Sequence, residues 1–527
     1  MKHSTVIILD YGSQFTQLIA RRVRELGIYS VVLPVTTPVE ELQKLDPKAI
    51  ILSGGPSSVY DDGAPTLVKG FLEYQAAKRI PLLGICYGMQ LLVQKLGGKI
   101  SKADVREYGR MMVKTNPGTR FFAKSAQEFQ AWMSHGDDTK SLPAGFVSSA
   151  TSASGGITAM ESADLGIYAL QFHPEVTHTE GGKDLLKNFL TGIAGIPQDW
   201  TMQSVLDEQV EKIRAQVGPK AHVICALSGG VDSAVAAALV HRAIGDRLHC
   251  IFVDNGLLRL NEQERVMSVF SQQLHLPVTC MDASERFLSK LSGVADPEKK
   301  RKIIGNEFIQ VFEEAAHEVA KKVGGSLPEF LVQGTLYPDV IESSPPPGTG
   351  RVHSATIKSH HNVGGLPKDL RFKLIEPLRD LFKDEVRELG KKLNVPEVFL
   401  KRHPFPGPGL AVRVIGEVHP YGLEILREVD EIFIQSIRNA GLYDQIWQAF
   451  AVFLPIRSVG VQGDGRTHDH VVALRAVTSS DGMTADWFHF DSKFLAEVSS
   501  KICNTVRGVN RVVYDVSSKP PATIEWE

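Results

Sequence analysis

Short apolar runs recur along the first two hundred residues, at positions 6–9, 29–33, 49–52 and 81–85, with helical segments between them. Strand and helix alternating in this way predict an α/β sheet. A further run at 168–172 and a helix around 185–190 complete the segment, and the Gly- and Pro-punctuated stretch 192–197 reads as a linker. A new helix begins near Trp200. From Val223 the alternation resumes, with strands at 221–227, 248–253, 277–281 and 330–333, so a second sheet is expected. The stretch 343–350 carries three consecutive prolines, cannot be regular structure, and opens a long polar loop through Pro367 of the kind that forms lids or binding loops. A second cluster, His403-Pro404-Phe405-Pro406-Gly407-Pro408-Gly409-Leu410, leads into a C-terminal region of mixed helices and strands. The expected domains are 1–196, 200–396 and 397–527, without internal repeats or low-complexity tracts.

A chain of 527 residues exceeds what one core supports. Its 58 basic and 60 acidic residues nearly cancel, which removes electrostatic support for a nucleic-acid-binding role. Cys86, Cys225, Cys250, Cys280 and Cys503 lack CxxC spacing, against both a zinc site and a disulfide framework, and fit a reducing cytoplasm. The first apolar run is too short for a signal segment or a membrane span, so a soluble cytoplasmic protein is expected.

The most informative string is Ser228-Gly229-Gly230-Val231-Asp232-Ser233, set between an apolar strand and an Ala-rich helix. Glycines let the backbone close on a ligand, and free N–H groups at a helix start suit phosphate. The Gly-Lys-Ser/Thr ending of a Walker A loop is missing, so no lysine follows a γ-phosphate. The string resembles the loop of N-type ATP pyrophosphatases, which cut ATP between its α and β phosphates. Asp232 is read either as an oxygen ligand to Mg²⁺ on the pyrophosphate or as a plain helix N-cap. Asp254 stands either at the adenosine or in an ordinary Asx-Gly turn.

In the first domain Gly84-Ile85-Cys86-Tyr87-Gly88 has the Gly-x-nucleophile-x-Gly form of a strand-to-helix elbow. A thiol at a helix start is activated by the dipole and by a histidine. The candidate histidine is His173 in His173-Pro174-Glu175, with Glu175 orienting it. His135 is the weaker base, since no carboxylate follows it at that spacing. These strings resemble class I glutamine amidotransferases over about 195 residues. That resemblance implies an oxyanion hole from the backbone of Gly54, Gly55 and Tyr87, and glutamine recognition by Gln90, Ser134, His135 and Asp137.

Four further strings narrow the reading: 333–343, 358–367, 403–410 and 519–527. With the two sites above they resemble the glutamine-hydrolysing GMP synthetase family over essentially the whole chain. The resemblance implies three folds: a flavodoxin-like open-sheet class I amidotransferase domain, a Rossmann-like adenine nucleotide α-hydrolase domain, and a small α+β C-terminal dimerisation domain. It implies ATP-dependent amination of XMP through adenyl-XMP, ATP contacts from Ser228 to Ser233 and from Asp254, Gly334 and Lys358, Mg²⁺ with the ATP, and a homodimer. It also implies XMP contacts from Arg301, Arg457, Gln462, Lys519, Thr523 and Glu525. By residue type alone, 298–302 is a solvated helix face and the tail beyond Tyr514 has no packing pattern of its own. His353, His360 and His361 lack the thiolate or carboxylate company of a metal site. An NAD synthetase keeps a similar loop but pairs it with a nitrilase-type glutaminase, and a CTP synthetase needs a different loop. A catalytically dead nucleotide-binding regulator is opposed by intact Cys86, His173, Glu175 and Asp232.

Overall fold

The structure, a computed structural model, describes residues 3–324, 327–342, 372–462, 464–479 and 484–527, with backbone only at 103–106, 341–342 and 462. These residues fall into two compact units, one holding the chain up to Glu208 with 338–342, the other holding the remainder.

The first unit is built on one sheet of β1 (Thr5–Asp10), β2 (Tyr29–Pro34), β3 (Ala49–Leu52), β4 (Leu82–Ile85), β5 (Lys99–Thr115), β6 (Glu128–Ser141), β7 (Val147–Ser152), β8 (Ile157–Ser162) and β9 (Ile167–Leu170), in the order 2-1-3-4-9-8-7-5-6. Strands β1 to β4 and β9 run parallel, and β5 to β8 add an antiparallel wing. The sequences Val-Ile-Ile-Leu and Ala-Ile-Ile-Leu of β1 and β3 are almost wholly excluded from solvent, as expected of strands covered on both faces. Two glycines let β4 and the following helix, Tyr87–Lys95, close up. A Cβ on Gly84 would stand 2.7 Å from the Gly88 carbonyl, and one on Gly88 would stand 2.6 Å from Leu52 O. The elbow can form only because both lack one.

In the second unit β10 (Val223–Leu227), β11 (Leu248–Asp254), β12 (Val278–Asp282), β13 (Phe330–Val332) and β14 (Lys373–Ile375) make a wholly parallel sheet, order 12-11-10-13-14. Beyond it, β15 (Gln448–Gln462) and β16 (Gly465–Thr478) form a long antiparallel pair with an irregularity between Leu454 and Arg457. Short β17 (Asp486–Trp487) and parallel β18 (Val509–Tyr514) both join β16. One hydrophobic interior runs through both regions: Ile224, Ile251 and Phe287 belong to the same packed cluster as Leu410, Leu426, Phe453 and Val472.

The C-terminal tail, which has no packing pattern of its own in sequence, is packed through its partners. Ile524 is buried, and the main-chain oxygens of Ser517, Thr523 and Ile524 accept from the fully buried guanidinium of Arg475, which also pairs with Asp515 at 2.8 Å. Arg413, equally buried, is held in a two-pronged pair by Glu525, at 2.9 and 3.1 Å. The expected solvated face at the start of helix Pro297–Lys322 holds at Glu298, Lys299 and Lys302, which are exposed, and fails at Lys300. Lys300 is completely buried, and its Nζ donates to Ala411 O, Val414 O and the Glu527 carboxylate. A charge that loses water needs such partners, because an unpaired one costs several kcal/mol. Among the described residues no helix is long and apolar enough to cross a membrane.

Candidate active site

Cys86 sits at the turn from β4 into its helix with φ 53° and ψ −106°. That positive φ is rare for a side chain with a Cβ and marks stored strain. Its amide donates to Leu170 O, 2.7 Å away in β9, which ties the elbow to the strand that delivers His173. The thiol stands 3.7 Å from Ser134 O and 3.9 Å from the Gln171 amide. His173 is fixed from several sides: its amide donates to Trp132 O, its carbonyl accepts from Thr179 Oγ1 at 2.6 Å, and Phe15 lies edge-on to its ring. Nδ1 meets Glu175 Oε1 at 2.7 Å, and both side chains are nearly or fully buried. Burial pushes the His173 pKa down, but the Glu175 carboxylate and Cys86 outweigh it and hold the imidazole up at about 10. A protonated imidazole therefore faces the thiol at neutral pH.

Two glycines stand close to these side chains. A Cβ on Gly54 would come 3.2 Å from His173 Cε1, and one on Gly55 would strike Tyr11 O at 2.7 Å. Tyr87 turns its ring away, its hydroxyl donating to Pro65 O at 2.6 Å, so only its backbone can serve the site. Gln90 is buried, with its amide on Asp137 O and Gln171 Oε1. The Asp137 carboxylate accepts from Ser58 Oγ at 2.6 Å and from Tyr60.

His135 has the carboxylate that its local sequence lacks. Glu107, reached across the β5–β6 pair, places Oε2 3.3 Å from His135 Nε2, close but not aligned as a hydrogen bond. His135 Nδ1 donates to Asp137 O at 3.0 Å, and Glu107 Oε1 accepts from Ser154 Oγ at 2.7 Å. Reading along the chain misses Glu107 because only the strand pairing brings it to His135.

In the second unit the glycine loop follows β10 and turns at Gly229, φ +71°. Ser228 Oγ and Ser233 Oγ lie 3.0 Å apart, and the Gly230 amide donates to Ser228 Oγ at 3.3 Å, so two hydroxyls and an amide are gathered inside the loop. Asp232 is not the helix cap. Gly230 occupies that position before helix Val231–Ile244, and Asp232 Oδ2 instead meets Lys383 Nζ at 2.6 Å. Its Oδ1 is buried without a hydrogen-bond partner. Gly334 packs against the Asp232 backbone, where a Cβ would stand 3.3 Å away. The Asp254 side chain accepts from the Gly256 amide, which is the turn reading of that residue. Lys383 is absent from the sequence-derived candidates. A lysine opening a helix, Lys383–Lys392, opposes the dipole and so hints at an anion nearby.

The remaining candidates are less gathered. Arg301 pairs with Glu298 of its own helix at 2.6 Å, and Arg457 is exposed on β15 opposite His470. Lys519 pairs through its backbone with Ala485, and Thr523 Oγ1 donates to Glu525 O. The Glu525 carboxylate, expected to accept from purine N–H groups, is here engaged by Arg413 and by Gln448 Nε2 at 2.7 Å. Lys358, His353, His360 and His361 lie outside the described residues, as does the side chain of Gln462. Among the described residues no cluster of three or more His, Cys, Asp or Glu could hold a metal ion.

Three families match parts of the chain: "Glutamine amidotransferase class-I" over residues 7–193, "tRNA methyl transferase HUP domain" over 221–290 and "GMP synthase C terminal domain" over 435–526. Full-length similarity is also high. The chain is 53% identical to the GMP synthase [glutamine-hydrolyzing] of Bradyrhizobium diazoefficiens, covering 100% of this chain and 93% of that one. It is 55% identical to the protein of that name from Chlorobium luteolum, covering 99% and 100%, and 54% identical to that of Aquifex aeolicus, covering 100% of both.

Proposed function

The chain belongs to the glutamine-hydrolysing GMP synthase family, and we propose that the residues named above divide that activity between two chemical sites. It aminates XMP to GMP with glutamine as nitrogen donor. The observation that carries the assignment of its first step is the buried Cys86–His173–Glu175 arrangement at the elbow.

In that step the Cys86 thiolate attacks the side-chain amide carbon of glutamine. The oxyanion forms against the backbone of Gly54, Gly55 and Tyr87, and the two glycines, lacking Cβ atoms, let the chain come close. His173 gives its proton to the leaving nitrogen, the C–N bond breaks and ammonia departs, leaving a thioester. The now neutral imidazole takes a proton from water, whose oxygen attacks the thioester and frees glutamate and thiolate. Glu175 holds Nδ1 in place. Gln90, Ser134, His135 and Asp137 recognise the glutamine.

In the synthetase step Ser228 to Ser233, Asp254, Gly334 and Lys358 hold ATP, while Arg301, Arg457, Gln462, Lys519, Thr523 and Glu525 hold XMP. The purine oxygen attacks the α-phosphorus, pyrophosphate leaves, and ammonia then displaces AMP. The partnerless Oδ1 of Asp232 fits an oxygen donor to Mg²⁺, which would neutralise phosphate charge on the ATP. Lys383 adds a cation beside it. The domain division 1–196, 200–396 and 397–527 follows these roles, with the last segment also forming a homodimer of a cytoplasmic enzyme. Glutamine labelled in its amide nitrogen, with XMP and Mg-ATP, should yield labelled GMP, AMP, pyrophosphate and glutamate in equal amounts. Release of ADP and phosphate instead would overturn the adenylyl step.

A further inference from the structure

Arg402 lies outside every candidate named from the sequence, 173 positions along the chain from the glycine loop, and yet it grips that loop. Its Nη1 donates to Gly229 O at 2.8 Å, while Nη2 pairs with Glu262, a carboxylate only 4% exposed. Glu262 is itself held, its other oxygen accepting from the Arg259 amide at 3.0 Å. The base of the arginine cannot swing. The next residue, His403, lies flat on the Tyr443 ring with centroids 3.8 Å apart, and its amide donates to the Tyr443 hydroxyl.

The effect on the loop follows from peptide geometry. In a planar trans peptide the carbonyl of one residue and the N–H of the next point in opposite directions. Fixing Gly229 O on the outer side therefore aims the Gly230 N–H at the inner side, where the hydroxyls of Ser228 and Ser233 converge. Gly229 has no Cβ and sits at φ +71°, so nothing in its own chemistry prevents that peptide from rotating. A Cβ built there would meet Arg402 Nη1 at 3.3 Å, which shows how closely the guanidinium backs the loop.

We propose that Arg402 is a positioning residue for ATP, holding the Gly229–Gly230 peptide so that its N–H faces the phosphate chain, with Glu262 orienting the guanidinium. This rests on reading the loop as the ATP site. The test uses the full chain with ammonium chloride as nitrogen donor, and follows pyrophosphate release while ATP and XMP are varied separately. Arg402→Met should raise the KM for ATP about tenfold, the equivalent of one lost charge-assisted hydrogen bond. The KM for XMP should stay within about twofold of wild type. Arg402→Lys, which keeps one donor to the carbonyl, should recover part of the loss, and Glu262→Gln should fall between. If Arg402→Met does not fold, the lysine and glutamine variants carry the same comparison. An unchanged KM for ATP, or equal rises for ATP and XMP, overturns the proposal. A wild-type protein that releases no pyrophosphate overturns the ATP reading itself and the proposal with it.

Discussion

Lys300 and Glu527 stand 227 residues apart in the chain and form a buried ion pair, with Lys300 wholly excluded from solvent. Burial pulls the lysine's pKa below its ordinary value and Glu527 offsets part of that pull. Removing residues beyond Tyr514 would strip counter-charges from Lys300, Arg413 and Arg475 together. Each broken buried pair costs roughly 3–5 kcal/mol, and three approach the whole stability of a domain, roughly 5–15 kcal/mol. The truncated chain should lose GMP synthesis with either nitrogen donor and lose the second unit's cooperative melting, while glutamine hydrolysis persists. Retained melting of that unit would show that the tail only binds substrate.

Cys86→Ala should lower glutamine-dependent GMP formation by several orders of magnitude and leave ammonium-supported synthesis near wild type, because the proposed nucleophile and the proposed synthetase residues are separate. Assaying both donors on one preparation checks it, and joint loss in a folded variant counts against two sites.

The raised His173 pKa has a signature in stability. Between about 6.5, the ordinary value for an unfolded chain, and about 10, the folded state holds a proton that the unfolded state releases. The associated stability is complete below about pH 6.5 and is lost as pH rises through about 10. Glu175→Gln removes the principal cause of the rise, so its melting temperature should fall less steeply between pH 7 and 9.5 than that of wild type. Parallel slopes would mean that the carboxylate does not hold the proton.

Glu107→Gln should raise the KM for glutamine about tenfold with little change in ammonium-supported synthesis, since the carboxylate steadies His135 and, through it, Asp137 O. A steady-state comparison with both donors decides this. An unaltered KM would make the contact merely structural.

The grouping of Cys86, His173 and Glu175 and the turn of the glycine loop were legible because both need local strings. An elbow requires glycines on each side of Cys86, and His173 and Glu175 are separated by one proline. The strands were legible for a similar reason, since burial on both faces writes continuous apolar runs. Glu107, Lys383, Arg402 and Lys300 were not, because each acts through a partner that only the tertiary fold supplies. Lys300 sits in a basic run that reads as solvated, and nothing near it in sequence announces Glu527. The same holds for the pair of Glu525 with Arg413, which nothing near either residue in sequence announces.

The backbone at Cys86 sets function against stability. At φ 53° a glycine would relieve strain of order 1–3 kcal/mol, so Cys86→Gly should melt above wild type while hydrolysing no glutamine. Natural drift at this position thus has a downhill direction that selection for glutamine use must oppose. In a lineage supplied with enough ammonia, the nucleophile is where decay of the first unit would begin, and the change would leave the rest of the protein better folded than before.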